Sequence, residues 1–499
     1  MNLLSMLDER AGSDRSALVH RGRTITFREL AEDAARFHAG LVELGIGPGD
    51  RVMIFAGTTP WFVTALFGTL HAGAVAVPAN PLSPPPEMST EMAAVRPALV
   101  VVGPAAAASI AECAIDAPVV ALPGANVTDA IAYDDFLGEP GRTAVEREAD
   151  DLAMLLFTSG TAGSPKAAML THRNLVSNLE QVHGARSELV DRDDVGFGVL
   201  PMFHILGLNA LFTMVLFNGG SMVLVERFDP LQSVALVRDN QVTVVSGPPA
   251  MWKAWADHPE IGRDDFASVR IGISGAAGLG REVANAVQER LGVRLSQGYG
   301  LTEAAPVLTL GAGTGAPSTS VGRPVPGVEL RLVDPAGNDV PVGDEGEILA
   351  RGANVFSGYW ENEAATAEVL TADGWLRTGD VGVVDDDGYL YIVDRTKDLI
   401  MVSGFNVFPG EVEGVLGDHP GIAEAAVIGV RDAVTGEAVK AFVVAADDAV
   451  LDQDEIIAFC ADRMARYKCP SSVEIVDELP RGSALGKMRR RELRAADAG

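Results

Sequence analysis

Apolar positions in the first third of the chain alternate between helical spacing and short continuous runs. The Thr26-x-x-Glu29 pair predicts a capping box that opens a helix. The apolar residues that follow at helical spacing are Leu30, Ala34, Phe37, Leu41 and Leu44. The glycines at Gly45 and Gly47 predict where this helix ends.

Continuous apolar runs flank the next predicted helix. RVMIF (51–55) and VAVP (75–78) are typical of buried strands, and PWFVTALFGTLHAG (60–73) between them is typical of a helix. Strand–helix–strand order predicts a parallel sheet covered by helices, and this order recurs to about residue 310. From VGRPVPGVELRLVD onward, short strands and turns such as Pro335-Ala336-Gly337-Asn338 predominate.

A second unit is predicted to begin near Asp394-Arg395. Its predicted order is strand LIMV, a helix from Pro409, strands AAVIGV and KAFVV, a helix over 456–466 and strand SSVEIV. A unit of this length has a normal domain size. The predicted fold class is therefore α/β, with a large N-terminal domain of layered sheets and helices over 1–394 and a small α+β C-terminal domain over 395–499.

Composition narrows the class of protein. Of 499 residues, 47% are apolar and 21% are charged, which indicates a globular protein. The net charge of −29 repels nucleic acid and anionic lipid, so neither is expected as a partner. The three cysteines, at 113, 460 and 469, follow no disulfide or zinc-binding pattern, which favours reduced thiols in the cytoplasm. The first residues lack a basic flank, so no signal peptide is expected.

The stretch from Val195 to Val225 contains no Asp, Glu, Lys or Arg. Pro201, His204 and Asn209 interrupt it, so no run approaches the roughly 18 apolar residues of a membrane-spanning helix. The stretch predicts a buried region around an apolar pocket and no integral membrane segment.

A glycine-rich loop, TSGTAGSPK (158–166), follows the predicted strand LAMLLF. Glycines let backbone N–H groups approach an anion, hydroxyls add donors, and a lysine adds charge. A Walker A loop would run through Gly-Lys-Ser/Thr straight into a helix, whereas AAML after Lys166 predicts a strand and the next helix starts only after Thr171. The pattern predicts a strand–loop–strand phosphate loop, although by composition alone a flexible surface turn fits as well.

The loop resembles the phosphate loop of the adenylate-forming superfamily, which contains acyl-CoA synthetases, luciferases and the adenylation domains of peptide synthetases. GYGLTEAAP (298–306), WLRTGDVGVVDDDGYLYIVDRTKDLIMVSGFNVFPGEVE (375–413) and RGSALGKMRRREL (481–493) resemble three further family segments in the family's order. The second of these is similar to bacterial long-chain acyl-CoA synthetases. One departure is Ala167, where the family usually has glycine.

This resemblance implies a two-step reaction with ATP, Mg²⁺ and CoA, in which a carboxylate attacks the α-phosphorus and a thiol then displaces AMP. It implies that Glu303 binds Mg²⁺, that Lys166 and the loop hold the β- and γ-phosphates, and that Asp380 accepts from the ribose hydroxyls. The implied nucleotide-binding set is Thr158, Ser159, Gly160, Thr161, Lys166, Gly275, Ala276, Gln297, Gly298, Tyr299, Asp380 and Arg395.

The resemblance also implies catalytic roles for Lys487, Thr302, Glu303 and His204. Lys487 would bridge carboxylate and α-phosphate, and His204 would gate the acyl pocket. The ordinary alternatives are a solvated basic tail, since arginines follow at 489–491, and a core histidine. The implied hinge and thiol path, on which the small domain rotates between half-reactions, contains Lys397, Ser403 and Gly404.

The predicted substrate is a carboxylic acid with an apolar body. Relatives that activate amino acids need an aspartate near the position of His204, and Ile205-Leu206-Gly207-Leu208-Asn209 offers none. The surroundings suited to an alkyl or aromatic acid are Leu206, Leu211, Phe212, Met214, Leu216, Phe217, Met251 and Trp252. The sequence therefore predicts a fatty acyl-CoA synthetase. The alternatives are a ligase that loads the phosphopantetheine of an acyl carrier protein, an aryl acid–CoA ligase, and a non-catalytic binding member.

Overall fold

The computed structural model describes residues 3–141, 143–158, 165–185, 189–395, 400–402, 405–407, 409–432, 436–447, 449–464, 466–481 and 488–497. The chain divides into two compact units. The first contains Met1–Glu329 and Ala350–Leu376, and the second contains Leu330–Leu349 and Arg377–Gly499. The predicted domains, 1–394 and 395–499, divide the chain at a different point from these two compact units, and that boundary stays a prediction.

A seven-stranded sheet occupies part of the first unit. Its strands, in spatial order, are Ile131–Ala132, Val119–Ala121, Leu99–Val102, Arg51–Phe55, Val75–Ala79, Leu152–Thr158 and Lys166–Thr171. All neighbours are parallel except the last two, which form an antiparallel hairpin. The two strands predicted from RVMIF and VAVP therefore lie side by side, as their order along the chain requires.

A nine-stranded sheet forms the other layer of strands in this unit. Its spatial order is Arg323–Pro324, Val307–Leu310, Leu295–Gly300, Ile271–Ser274, Val244–Gly247, Val195–Gly198, Ser221–Leu224, Ser16–His20 and Arg23–Thr26. The six central strands run parallel, and antiparallel strands close both edges. Ligand sites in open sheets of this kind lie at the carboxyl ends of the parallel strands.

Helices cover both sheets. In the first unit they are Ser5–Asp8, Phe27–Glu43, Pro60–His71, Pro85–Val95, Ala107–Ile110, Tyr133–Phe136, His172–Ala185, Met214–Phe217, Pro230–Asp239, Pro249–Asp257, Arg281–Leu291 and Glu363–Val369. Short 3-10 turns are Arg263–Phe266 and Thr302–Ala304. The capping box is confirmed: the Thr26 N–H donates to Glu29 Oε2 at 2.7 Å, and the Glu29 N–H donates to Thr26 Oγ1 at 3.1 Å. This helix ends one residue before Leu44, which is exposed.

The uncharged stretch is largely buried, as predicted. Its centre, Leu206–Thr213, forms a π-helix, an element for which the sequence provides no prediction. It leads directly into the Met214–Phe217 helix. Within the ranges given above, no helix combines the length and apolar character that a membrane crossing needs.

Two smaller sheets lie mainly in the second unit. One contains Glu329–Val333, Gly346–Arg351, Leu376–Val384 and Leu390–Arg395, and the other contains Phe405–Val407, Ile400–Val402, Gly436–Ala445, Ile422–Asp432 and Ser472–Ile475. The helices are Pro409–Gly417, Gln453–Ala461 and Arg490–Asp497, with a 3-10 turn at Arg466–Lys468. The helix predicted over 456–466 begins earlier because the Asp452 carboxylate accepts from the Asp454 and Glu455 N–H groups. The second unit thus contains two sheets together with helices, which confirms the predicted α+β character of the small domain.

Candidate active site

The predicted phosphate loop joins two paired strands. Leu152–Thr158 and Lys166–Thr171 run antiparallel, with Thr158 opposite Lys166, so the strand–loop–strand prediction is confirmed. The helix after it starts at His172, where the Thr171 side chain accepts from the Asn174 N–H at 3.1 Å. The loop residues Ser159, Gly160 and Thr161 lie outside the described residues.

The Thr302–Ala304 turn carries Thr302 and Glu303 beyond the carboxyl end of the Leu295–Gly300 strand. Gly300 is fixed by a close approach of the backbone, because a Cβ at this position would lie 1.9 Å from the Pro306 carbonyl oxygen. The turn therefore requires glycine immediately before Leu301, which explains the second glycine of the GYGLTE string.

Buried asparagines hold the carbonyl groups of this turn. The Asn209 Nδ2 donates to the Ala305 oxygen at 2.7 Å, and the Asn354 Nδ2 donates to the Ala304 oxygen at 2.8 Å. Both side chains are almost fully buried, so their hydrogen bonds are shielded from water. The asparagine in the π-helix thus anchors the turn that presents Glu303.

Tyr359 brings the hairpin and the turn together. Its hydroxyl donates to Glu303 Oε1 at 2.7 Å, and the Lys166 ammonium lies 5.1 Å from the centre of its ring. This second distance is within the range of a cation–π interaction. The structure therefore places two of the predicted site residues, Lys166 and Glu303, on the same tyrosine.

Burial and the neighbouring Glu303 carboxylate set the protonation of this tyrosine. Burial is the larger cause that raises the pKa of Tyr359 above its usual value, and the charge and hydrogen bond of Glu303 act in the same direction. The hydroxyl consequently stays protonated at any working pH and acts as a donor to Glu303. The Lys166 ammonium also lies 4.0 Å from Glu368, whose side chain is largely exposed.

The Ser274–Ala277 loop follows the neighbouring parallel strand. The Gly275 N–H donates to the Gly247 oxygen at 3.2 Å, and Ala276 has a φ of +69°, a backbone conformation that non-glycine residues rarely adopt. Among the described residues, the fully buried Ser274 Oγ has no hydrogen-bond partner. A strained residue beside a buried, unsatisfied hydroxyl is typical of a ligand-binding loop.

Gln297, Gly298 and Tyr299 lie in the adjacent Leu295–Gly300 strand. The Gln297 side chain is already engaged by the protein, since its Oε1 accepts from the Leu279 N–H at 2.9 Å and its Nε2 donates to the Ser318 oxygen at 2.7 Å. It therefore fixes the Ser274–Leu279 loop against the strand. Its predicted contact with a nucleotide would have to come from the backbone.

His204 lies just before the π-helix, beside Phe203, with their ring centroids 4.7 Å apart. Its backbone oxygen accepts from the Leu208 N–H, so the histidine belongs to the start of the helical segment. Trp252, expected beside an acyl chain, instead packs in the core under the nine-stranded sheet with Trp255 and Phe266. Its indole N–H donates to the Ile273 oxygen at 3.1 Å.

Asp380 and Arg395 belong to the second unit, where their strands pair antiparallel and place the two residues opposite each other. Asp380 is buried, and its N–H donates to the Thr378 hydroxyl at 3.1 Å. Lys397, Ser403, Gly404 and Lys487 lie outside the described residues. Among the arginines after Lys487, Arg490 is not a solvated residue as expected, because its guanidinium pairs with the Glu413 carboxylate at 2.7 Å.

The residues that sequence reasoning missed are Tyr359 and the buried asparagines. Tyr359 lies in a segment, GYWENEAAT, that carries no charge pattern or catalytic string of its own. Asn209 was visible only as an interruption of the uncharged stretch. A polar side chain isolated in a long apolar segment is the signal that could have indicated a buried anchor.

The donor set fits Mg²⁺ that arrives with a nucleotide better than a resident metal. Across the described ranges, no group of three or more His, Cys, Asp or Glu side chains could enclose an ion. In that same part of the chain, no lysine or arginine forms an ion pair with the Glu303 carboxylate. Mg²⁺ is usually held by one or two carboxylates together with water and substrate phosphates, which a single glutamate satisfies.

Comparison with known proteins identifies the family. The model of the family described as "AMP-binding enzyme" matches residues 7–360, and that of "AMP-binding enzyme C-terminal domain" matches residues 411–487. A feruloyl-CoA synthase of an Amycolatopsis species is 39% identical, with 96% of this chain and 95% of the relative covered. A long-chain-fatty-acid–CoA ligase of Salmonella typhimurium is 36% identical, with coverage of 97% and 92%.

Solved structures agree with this result. The crystal structure of ATP-bound MatB from Rhodopseudomonas palustris superposes with a TM-score of 0.91 at 32% identity, and the match covers 99% of each chain. The α/β fold class and the resemblance drawn from the four sequence segments are thereby confirmed. The chain belongs to the AMP-binding enzyme family and is one of its adenylate-forming CoA ligases.

Proposed function

We propose that this ligase activates a fatty acid with Mg-ATP to an acyl-adenylate and then transfers the acyl group to CoA. The observation that carries the proposal is that Lys166 and Glu303 both contact the Tyr359 side chain, the lysine at the ring and the glutamate at the hydroxyl. The Lys166 ammonium and the second carboxylate oxygen of Glu303 are separated by the Tyr359 side chain. The ammonium can contact a phosphate, and the oxygen can bind a metal ion. Phosphoryl chemistry depends mainly on such positioning and charge neutralisation.

In this proposal, Glu303 holds Mg²⁺, which when bound neutralises charge on the phosphates. Lys166 contacts the β- and γ-phosphates, and the Thr158 hydroxyl, which donates to the Lys166 oxygen at 3.4 Å, would turn to a phosphate as a further donor. Thr302, one residue before Glu303, would contact the α-phosphate. The roles of Asp380, Arg395 and Lys487, and of the hinge around Lys397, Ser403 and Gly404, remain the ones that the sequence predicts.

The apolar surroundings of His204 support a hydrophobic acid over an amino acid. The only polar side chain in Ile205–Asn209 is that of Asn209, and its amide nitrogen is already committed to the Ala305 and Leu175 oxygens. This segment therefore contains no carboxylate that could pair with the α-ammonium group of an amino acid substrate. An aryl acid is the second candidate substrate, because a relative at 39% identity is named feruloyl-CoA synthase.

The test is pyrophosphate release with Mg-ATP across straight-chain acids from butyrate to stearate and across cinnamate-type aryl acids. Each reaction is run with and without CoA, and products are read by mass spectrometry. We expect acyl-CoA from a band of fatty chain lengths. Activity confined to aryl acids would replace the fatty substrate, and an adenylate that persists with CoA but reacts with a phosphopantetheinylated carrier protein would replace the acceptor.

Variants of the site separate chemistry from folding. We expect Lys166→Ala and Glu303→Gln to lose at least about a hundredfold in adenylate formation, as loss of a preorganised charge contact does elsewhere. Lys253→Ala is the matched control, because the ion pair that this exposed lysine forms among the described residues is with Asp257 on its own helix. Wild-type rates in both site variants would contradict the assignment.

A further inference from the structure

Tyr359 is held in place by the same strand that begins with Lys166. The Met169 N–H donates to the Gly358 oxygen at 2.9 Å, and the Trp360 N–H donates to the Ala167 oxygen at 2.8 Å. These bonds place Tyr359 opposite Ala168, two residues from the lysine. The position of the tyrosine ring is therefore set by the backbone of the hairpin.

The same segment is bonded to the turn that carries the glutamate. The Phe356 N–H donates to the Glu303 backbone oxygen at 2.9 Å, and the Phe356 ring meets the Tyr359 ring edge-on at 5.0 Å. The Tyr359 N–H donates to the Thr366 hydroxyl at 2.9 Å, which fixes its other side. With strand, turn and helix all bonded to it, the tyrosine has little freedom to move away from Glu303.

We propose that Tyr359 is a positioning residue for adenylation: its hydroxyl orients the Glu303 carboxylate for Mg²⁺, and its ring positions the Lys166 ammonium for the phosphates. The hydroxyl engages Oε1, so Oε2 is the oxygen that would bind Mg²⁺. A partner that hydrogen-bonds a metal ligand sets that ligand's orientation and its affinity for the ion. This inference rests on the proposed role of Glu303.

Two substitutions separate the hydroxyl from the ring. Tyr359→Phe removes only the hydrogen bond, so the Mg²⁺ concentration for half-maximal adenylation should rise about tenfold, at the low end of the effect of losing an outer-shell partner. The KM for ATP at saturating Mg²⁺ should be unchanged. Tyr359→Leu also removes the cation–π contact, so both quantities should rise.

Tyr391→Phe is the matched control, since the Tyr391 hydroxyl also donates to a carboxylate, that of Asp385 at 3.0 Å. It should leave the Mg²⁺ dependence unchanged. A purely structural role for Tyr359 would lower the Tm of Tyr359→Phe without moving the Mg²⁺ midpoint, and that result overturns the proposal. If Tyr359→Phe does not fold, Tyr359→Met, which like Tyr359→Leu lacks both the hydroxyl and the ring, should raise the Mg²⁺ midpoint and the KM for ATP together, and an unchanged Mg²⁺ midpoint in that variant overturns the proposal.

Glu303→Gln distinguishes failure of this inference from failure of the proposed site. If the Mg²⁺ midpoint moves in Glu303→Gln but not in Tyr359→Phe, the site stands and the role of Tyr359 is wrong. If it moves in neither, Glu303 is not the metal ligand. If Tyr359 acts through Glu303, the double variant has the same midpoint as Glu303→Gln alone, because the two effects are not additive for coupled residues.

Discussion

At the residue scale, steric fit decides which positions of the GYGLTE string can be substituted. A Cβ on Gly300 would lie 1.9 Å from the Pro306 oxygen and 2.7 Å from its carbonyl carbon. Both are backbone atoms, so no side chain can move aside to admit a methyl group. The glycine is required by the path of the chain past Pro306, which leads from the strand into the turn that carries Glu303.

We therefore expect Gly300→Ala to cost about 1–3 kcal/mol in stability, the usual penalty of overpacking. The turn would have to shift, and a displacement of about 1 Å in a reacting group can lower the rate about a hundredfold. Thermal unfolding and pyrophosphate release measure the two effects. Gly47→Ala is the control, because a Cβ there meets nothing within 4 Å. Equal behaviour of the two variants would contradict the steric explanation.

A buried carboxyl gives a second test at this scale. Burial raises the pKa of Glu91 from its usual 4.5 to about 8, and the charge of Glu87 adds to the effect. The folded state binds this proton more tightly, so the stability it contributes is complete below pH 4.5 and is lost as pH rises towards 8.

Glu91→Gln, which does not titrate, should therefore be more stable than the wild type at pH 8, by up to about 5 kcal/mol, and little different at pH 4. The Tm of both proteins at the two pH values measures this. Glu87→Gln, an exposed change one turn earlier on the same helix, should shift the curve little. A Tm difference that is the same at pH 4 and pH 8 would rule out burial as its cause.

At the element scale, the sequence predicted the helices, strands and turns whose formation depends on residues close to one another in the chain. The Thr26 capping box, the strand at Arg51–Phe55 and the hairpin around Lys166 follow from neighbouring residues, and all three are present. The contact of Tyr359 with the hairpin could not be predicted, because it depends on strand pairing between distant parts of the chain. The π-helix was not predicted either, because an uncharged apolar stretch indicates burial and does not specify the type of helix.

The π-helix matters through Asn209, which connects it to the Glu303 turn. Asn209→Leu keeps a similar volume but leaves the buried Ala305 carbonyl without its donor at 2.7 Å. We expect a loss of about 1–3 kcal/mol in stability and a fall in adenylation as the turn loosens. Asn240→Ala is the control, since the Asn240 side chain donates to the Leu236 oxygen of the helix that it follows and does not reach the Glu303 turn in the described part of the chain. Chemical denaturation and adenylation rates that match in the two variants would remove Asn209 as an anchor.

At the scale of the whole molecule, the described N-terminal residues are tied to the middle of the chain by a histidine. The Leu3 N–H donates to the His172 Nδ1 at 3.2 Å. Burial, followed by the nearby Arg147 charge, lowers the pKa of His172 from 6.5 to about 4. The folded protein therefore keeps this ring neutral, as an acceptor, while an unfolded chain would protonate it below pH 6.5.

Stability should accordingly fall as pH drops from 6.5 to 4 and be independent of this group above that window, with a total effect of up to about 3 kcal/mol. His172→Asn retains an acceptor near the Nδ1 position but does not titrate. We expect the variant to lose less stability than the wild type between pH 7 and pH 4.5, measured by urea unfolding. Parallel losses in both proteins would show that other groups cause the acid sensitivity.

The pairing of Tyr359 with the hairpin also has a consequence for the newly made protein. Lys166–Thr171 is the outermost strand of its sheet, and residues 357–360 bond along its open side. A ribosome adds about 5–20 residues per second, so the roughly 190 residues that separate the strand from its cover take about 10–40 s to emerge. Throughout that interval the strand can pair with another nascent chain, and Lys166 is its only charged residue. A lysine on an exposed strand edge discourages such pairing, so we expect the residue proposed to hold phosphate to protect the growing chain from aggregation as well.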